Sequence, residues 1–232
     1  MGIARTSVST NSRPLIAVTG PDGWFPIAWW FIRFGVCLAG GRAVRMTPSI
    51  LWRERPPDAI IISGGDDIDP SLYLPHPSEV APSDPARDRL EMEQIEQALR
   101  RRIPLLGICR GAQLINVVRQ GRLHTDLRRI RKVTSNRRTP FPNKTVTLQT
   151  GSRIAQVLGA ERVRINSLHH QAVSELGHGL RIVGRDADGI VQAIEDADHR
   201  FLIGVQWHPE YLPLHTLQRR IFQHLVKAAR LP

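Results

Sequence analysis

Gly107-Ile108-Cys109-Arg110-Gly111 stands between a short apolar run, Ile103-Pro104-Leu105-Leu106, and a helix-like run, Ala112-Gln113-Leu114-Ile115-Asn116-Val117-Val118. A glycine on each side of the cysteine lets the backbone turn sharply, so the apex residue takes up a strained conformation that points its side chain outward. The pattern G-x-C-x-G between a buried strand and a helix is the cysteine form of a nucleophile elbow. It puts Cys109 at a helix N-terminus, where the positive end of the dipole favours a thiolate. The turn predicts an α/β fold with covalent chemistry at Cys109.

The residues upstream supply the strands and helices that such a fold needs. Leu15-Ile16-Ala17-Val18-Thr19, closed by Gly20-Pro21, reads as a first strand. Residues 27–38 form an apolar, aromatic-rich helix ended by Gly40-Gly41, and 43–46 a second strand. Ala59-Ile60-Ile61-Ile62 is continuously apolar, as in a strand covered on both faces. Ser63-Gly64-Gly65 and a long Asp/Pro-rich loop to Pro85 follow. Residues 87–102 read as an amphipathic helix, with Leu90, Ile95, Ala98 and Leu99 inward and Glu91, Glu93 and Glu96 outward.

Strand–helix alternation in this half predicts a parallel, doubly wound sheet. The second half changes to short strands with Gly/Asp turns, at 146–148, 163–165, 180–183, 190–194 and 201–205, before an amphipathic helix over 212–229. The expected architecture is a three-layer α/β fold: a mostly parallel open sheet with flanking helices, plus a small antiparallel portion in the C-terminal half. Residues 14–232 read as one domain, preceded by a flexible leader at 1–13 that lacks the apolar region of a signal peptide. The stretch 128–144 has weak periodicity and reads as a mobile loop.

At 232 residues, 41% of them hydrophobic and 23% charged, the chain has the composition of an ordinary globular protein with one substantial core. No apolar run approaches the roughly 20 residues that cross a bilayer. The two cysteines make no disulfide framework and lack metal-ligand spacing, which favours a reducing, cytoplasmic setting. Cys37, in Phe34-Gly35-Val36-Cys37-Leu38-Ala39, reads as a small core residue. The net charge of +11 gathers at 100–102, 128–132 and 137–138, but no aromatic residues interleave with these runs as base-stacking platforms would. Nucleic acid is therefore not expected as a partner. A solvated basic face, or a docking surface for an acidic partner, is.

A thiol nucleophile needs a base, and the base needs an orienting group. Gln206-Trp207-His208-Pro209-Glu210 directly follows the last predicted strand. In an extended segment residues two apart project on one side, so Glu210 can hold one ring nitrogen of His208 and aim the other at Cys109. Acyl transfer also needs donors for the oxyanion. The N–H of Gly65, at the end of another strand, is the first candidate, and that of Arg110 the second. Asp66, Asp67 and Asp69 lack the distal glutamate of a calcium loop and read as turn and cap residues.

Taken together, Gly64-Gly65, Gly107 to Gln113, Asn166-Ser167-Leu168-His169-His170-Gln171 and Gly204 to Glu210 resemble the class I glutamine amidotransferase-like superfamily. Ile62 to Tyr73 and the paired His169-His170 make the chain most similar to its peptidase C26 branch, which includes γ-glutamyl-γ-aminobutyrate hydrolases. The resemblance implies Cys109 as nucleophile, His208 as base and then acid, and Glu210 as its orienting partner. It also implies that Gln113, Ser167, Leu168, His169 and His170 line the glutamyl pocket. No metal or organic cofactor is implied. The chain departs from the family at Gln120-Gly121, where Gly-Gly is common, at Gln192, and in its arginine-rich segment after Asp126.

The expected activity is hydrolysis of a small γ-glutamyl amide through a thioester, in polyamine or γ-aminobutyrate breakdown, by a chain that could form a homodimer. Two alternatives stay open. One is a glutaminase subunit that feeds ammonia to a separate synthetase. The other is a non-catalytic scaffold that binds an acidic partner through residues 128–138.

Overall fold

The computed structural model describes residues 13–24, 26–52, 54–74 and 83–231. The leader expected at the N-terminus lies outside the described residues up to residue 12, as does part of the Asp/Pro-rich loop. Eleven described strands and five α-helices follow in chain order. They are β1 (Leu15–Thr19), α1 (Ile27–Leu38), β2 (Arg42–Met46), β3 (Ala59–Ile62), α2 (Pro85–Arg101), β4 (Leu105–Ile108), α3 (Arg110–Val118), β5 (Arg122–His124), β6 (Thr139–Leu148), α4 (Arg153–Leu158), β7 (Arg162–Ser167), β8 (Ala172–Glu175), β9 (Arg181–Asp186), β10 (Val191–Glu195), β11 (Leu202–Val205) and α5 (Thr216–Ala229).

Nine strands form one sheet in the order β2-β1-β3-β4-β11-β10-β9-β6-β7. β2, β1, β3, β4 and β11 run parallel, and the sheet turns antiparallel from β11 through β10, β9, β6 and β7. β5 and β8 make a separate antiparallel pair. Side chains alternate between the two faces. Ile16, Val18, Ile61, Leu106 and Ile108 pack with α1, α4 and α5, whereas Ala17, Ile60, Ile62 and Leu105 pack with α2 and α3. The central strands are buried on both sides, which is why they read as unbroken apolar runs.

Three expectations are corrected. Cys37 is exposed, because α1 turns Ile32 and Val36 to the core and leaves position 37 outside. Glu91 is buried on the inner side of α2, where two arginines neutralise it. The last helix begins at Thr216 rather than 212, because Pro209–Tyr211 takes a single 3-10 turn first. The stretch expected to be loop holds the start of β6 at Thr139, and the short elements α4, β5 and β8 carried no visible periodicity. No described helix is long and apolar enough to cross a membrane.

Candidate active site

β3, β4 and β11 lie side by side in the sheet, and their carboxyl ends carry Gly64-Gly65, Cys109 and His208 respectively. Open α/β sheets bind ligands at this edge. β4 ends at Ile108, and Cys109 adopts φ 52° and ψ −106° as the N-cap of α3. A positive φ costs energy for a residue with a side chain and persists only where its surroundings hold it. Here the Cys109 N–H donates to the Val205 carbonyl at 2.7 Å, tying the elbow to the end of β11. The Cys109 carbonyl accepts from the N–H groups of Ala112 and Gln113. A Cβ on Gly111 would overlap the Ile62 carbonyl oxygen, so glycine is what lets α3 start against β3.

Cys109 is buried and lines a cavity of about 340 Å³ together with Gly64, Gly65, Arg110, Gln113 and His208. His208 Nδ1 lies 2.7 Å from Glu210 Oε1. The turn at Pro209 brings that carboxylate back to the ring, rather than the extended segment that the sequence implied. Asn166 clamps His208 from both sides: its Oδ1 accepts from the His208 N–H and its Nδ2 donates to the His208 carbonyl, each at 2.8 Å. Tyr211 stacks on the imidazole at 5.1 Å.

Burial alone would push the His208 pKa down. Glu210 and Cys109, which also engages the ring by a side-chain hydrogen bond, outweigh burial and hold it well above its ordinary value. The same two neighbours, after burial itself, push Tyr211 up to about 12. The ring is thus held as an imidazolium between a carboxylate and a sulfur. Such an arrangement can deliver a proton to a group leaving an acyl centre.

Gln206 is a site residue that the sequence did not mark. Its Nε2 donates to Cys109 Sγ at 3.5 Å, and its Oε1 accepts from Gln113 Nε2 at 3.1 Å. Gln113 Nε2 also donates to the Gln171 carbonyl. Gln206 stood in the quoted motif, and the strand period that turns residue 206 toward the elbow was the only signal available.

Arg87, Asp88 and Glu91 of α2 were missed as well. Asp84 caps the helix by accepting from the Arg87 N–H, and Pro85 supplies its first turn. Arg87 Nη2 then donates to the carbonyls of Ser63 and Gly64 at 3.2 and 2.9 Å, and Arg87 Nε donates to Glu91 at 2.8 Å. Arg110 pairs with Asp88 and Glu91. All four side chains are buried. In a trans peptide the C=O and N–H point opposite ways. Holding the Gly64 carbonyl therefore turns the Gly65 N–H away from Arg87.

Leu168, His169 and His170 line the cavity, whereas Ser167 closes β7 opposite Thr139 and is not among the lining residues. His170 Nε2 meets Asp67 Oδ2 at 3.0 Å, joining two walls of the cavity. Burial pushes His169 down to about 3, so the ring is neutral. Its Nδ1 bonds the Gln171 carbonyl, which can only accept, and so carries the proton. That leaves Nε2 as a buried acceptor without a partner among the described residues.

The family model for peptidase C26 matches residues 55–210. A Mycobacterium tuberculosis protein provisionally named a glutamine amidotransferase is 35% identical over 240 residues, covering 94% of this chain and 75% of the relative. The γ-glutamyl-γ-aminobutyrate hydrolase PuuD of Escherichia coli is 33% identical over 195 residues, covering 79% and 76%. Among solved structures, a Thermoplasma acidophilum protein provisionally named as part of a GMP synthase shares the fold, with a TM-score of 0.68 at 18% identity over 94% of this chain and 95% of that one. The chain therefore belongs to the peptidase C26 family, hydrolases built on the class I glutamine amidotransferase fold.

Proposed function

We propose that the protein hydrolyses the amide bond of a small γ-glutamyl compound, such as γ-glutamyl-γ-aminobutyrate, through a thioester on Cys109. The observation that carries this reading is that Cys109 and His208 line one cavity of about 340 Å³, within the usual range for small-molecule sites, while Glu210 holds the Nδ1 side of the His208 ring. The Cys109 thiolate attacks the side-chain carbonyl carbon, and the N–H groups of Gly65 and Arg110 bind the oxyanion. The C–N bond then breaks as His208 gives its proton to the departing amine. Neutral His208 next takes a proton from water, whose oxygen attacks the thioester. The C–S bond breaks, glutamate leaves, and the thiolate–imidazolium pair returns. Gln113, Leu168, His169 and His170 bound the space for the glutamyl group. Arg138 also lines this cavity and is a cation there that a leaving amine bearing a carboxylate would meet.

The test is amine release from a panel of γ-glutamyl amides that includes glutamine. Turnover of γ-glutamyl-γ-aminobutyrate well above that of glutamine is the expected result. No turnover across the panel overturns the reading. Rapid release from glutamine alone favours an ammonia-supplying subunit instead.

Two predictions follow from the geometry around His208. Glu210 raises the His208 pKa, so Glu210→Gln lets the imidazolium lose its proton at lower pH. The alkaline limb of the kcat/KM profile should therefore move to lower pH in that variant, and an unmoved limb would separate His208 from it. A Cβ on Gly64 would stand 2.5 Å from His208 Cε1. Gly64→Ala must displace the ring, and kcat should fall by about 100-fold with little change in melting temperature.

A further inference from the structure

Apart from Arg33, α1 is apolar all round, yet only one face is covered. Ile32 and Val36 are fully buried, and Phe222 lies close against Gly35. On the outer arc Ile27, Trp30, Phe31, Phe34 and Leu38 remain 52, 51, 38, 51 and 54% exposed, and Trp24, just before the helix, is fully exposed. The spacing 27, 30, 31, 34, 38 makes one continuous helical stripe. Its arc holds a single charge, Arg33, whose guanidinium lies 5.5 Å from the centre of the Trp30 ring. A helix with this all-round pattern belongs in an interior, and a contiguous exposed apolar patch marks an interaction surface.

We infer that α1 packs against α1 of a second copy of this chain across a two-fold axis. A two-fold interface sets one patch against itself, so any charge at its centre meets its like. This chain carries a net charge of +11, and the α1 stripe is a surface where two copies can meet almost without cations. For the same reason it offers an acidic partner little to bind. The area also fits. Fully covering an aromatic side chain buries about 150–250 Å², so the exposed parts of Trp24, Trp30, Phe31 and Phe34 alone amount to about 500 Å². Ile27 and Leu38 bring the patch close to the ~800 Å² per partner of a standard stable interface.

The stripe also reaches the candidate active site. Phe31 meets Tyr211 edge-on at 5.3 Å, and Tyr211 stacks on His208. Covering Phe31 fixes Tyr211 and so steadies the imidazole. This second step rests on the proposed role of His208; the dimer does not.

Sedimentation equilibrium of the full chain, without substrate, reads the dimer directly. The wild type should reach twice 26.1 kDa in the low micromolar range, and Phe34→Glu should sediment as a monomer with an unchanged circular dichroism spectrum and melting temperature. Mixing Phe34→Glu with Phe34→Lys should restore the dimer, which a merely misfolded variant could not do. A wild type that stays monomeric up to about 100 μM overturns the inference, and so does a dimer that survives Phe34→Glu. Monomeric wild type that binds phosphatidylcholine–phosphatidylserine vesicles through Trp30 would reassign the stripe to a lipid surface and likewise overturn it. Turnover per chain should rise through the monomer–dimer transition; constant turnover while the mass doubles would remove the bracing of His208 and leave the dimer standing.

Discussion

Cys109→Ala should lower amide hydrolysis by about 10⁵- to 10⁶-fold, to a rate set by the oxyanion donors and substrate binding alone. The effect is this large because, on the proposed route, the thiol both opens and closes the reaction path. Cys109→Ser should fare little better. An alcohol lacks the acidity of a thiol and gives up its proton far less readily to the same imidazole. The comparison must respect Cys37, which is exposed and will react with alkylating agents on its own account. A Cys37→Ser background therefore isolates Cys109. In that background, one equivalent of iodoacetamide should abolish turnover, with a γ-glutamyl substrate protecting the sulfur. Near-wild-type turnover by Cys109→Ala would remove the thioester route altogether.

Most of the frame around that sulfur was legible in the sequence. The elbow glycines, the four-residue apolar run of β3 and the helix over Ile27–Leu38 each carry a strong local pattern, and the structure reproduces them closely. Pairing His208 with Glu210 was also legible, although for a partly wrong reason: spacing by two residues predicted a shared side, whereas a 3-10 turn makes the contact. What stayed hidden depends on long-range meetings. Glu91 sits at a position that amphipathic patterning assigns to solvent, and only the arrival of Arg110 from α3 makes its burial affordable. Gln206 bridges Gln113 and Cys109, residues 93 and 97 positions away, and no local pattern announces such a bond. Asn166 was quoted as part of a motif, but its grip on the backbone of His208 required β7 and the segment after β11 to be seen together. Cys37 shows the converse. An apolar neighbourhood implied burial, and the helix carrying it was apolar on a face that this chain alone does not cover.

Glu91→Gln should cost about 3–5 kcal/mol of stability, the range for breaking a buried ion pair by removing one partner. In a chain of this size that is a fall in melting temperature of about 10 °C. Glu91 accepts from Arg87 at 2.8 Å, from the Thr19 hydroxyl at 2.8 Å and from Arg110, with no exposure of its side chain. With Asp88 it balances two guanidiniums that burial already penalises; neutralising one carboxylate leaves a net positive charge sealed inside. Asp88 cannot compensate, since its single carboxylate is already paired with Arg110. The double variant Arg87→Met/Glu91→Met removes one charge of each sign and leaves Arg110 paired with Asp88. It should regain most of the lost stability, because apolar replacements for a buried pair are often near neutral. It should not regain activity. The Gly64 carbonyl would lose its donor, and the Gly65 N–H would no longer be held toward the oxyanion. Removing an oxyanion donor outright costs about 10²–10³ in kcat, and a loosened one should cost a good part of that while KM changes little. A double variant that is both stable and fully active would show that α2 holds the fold together without aiming the Gly64–Gly65 peptide.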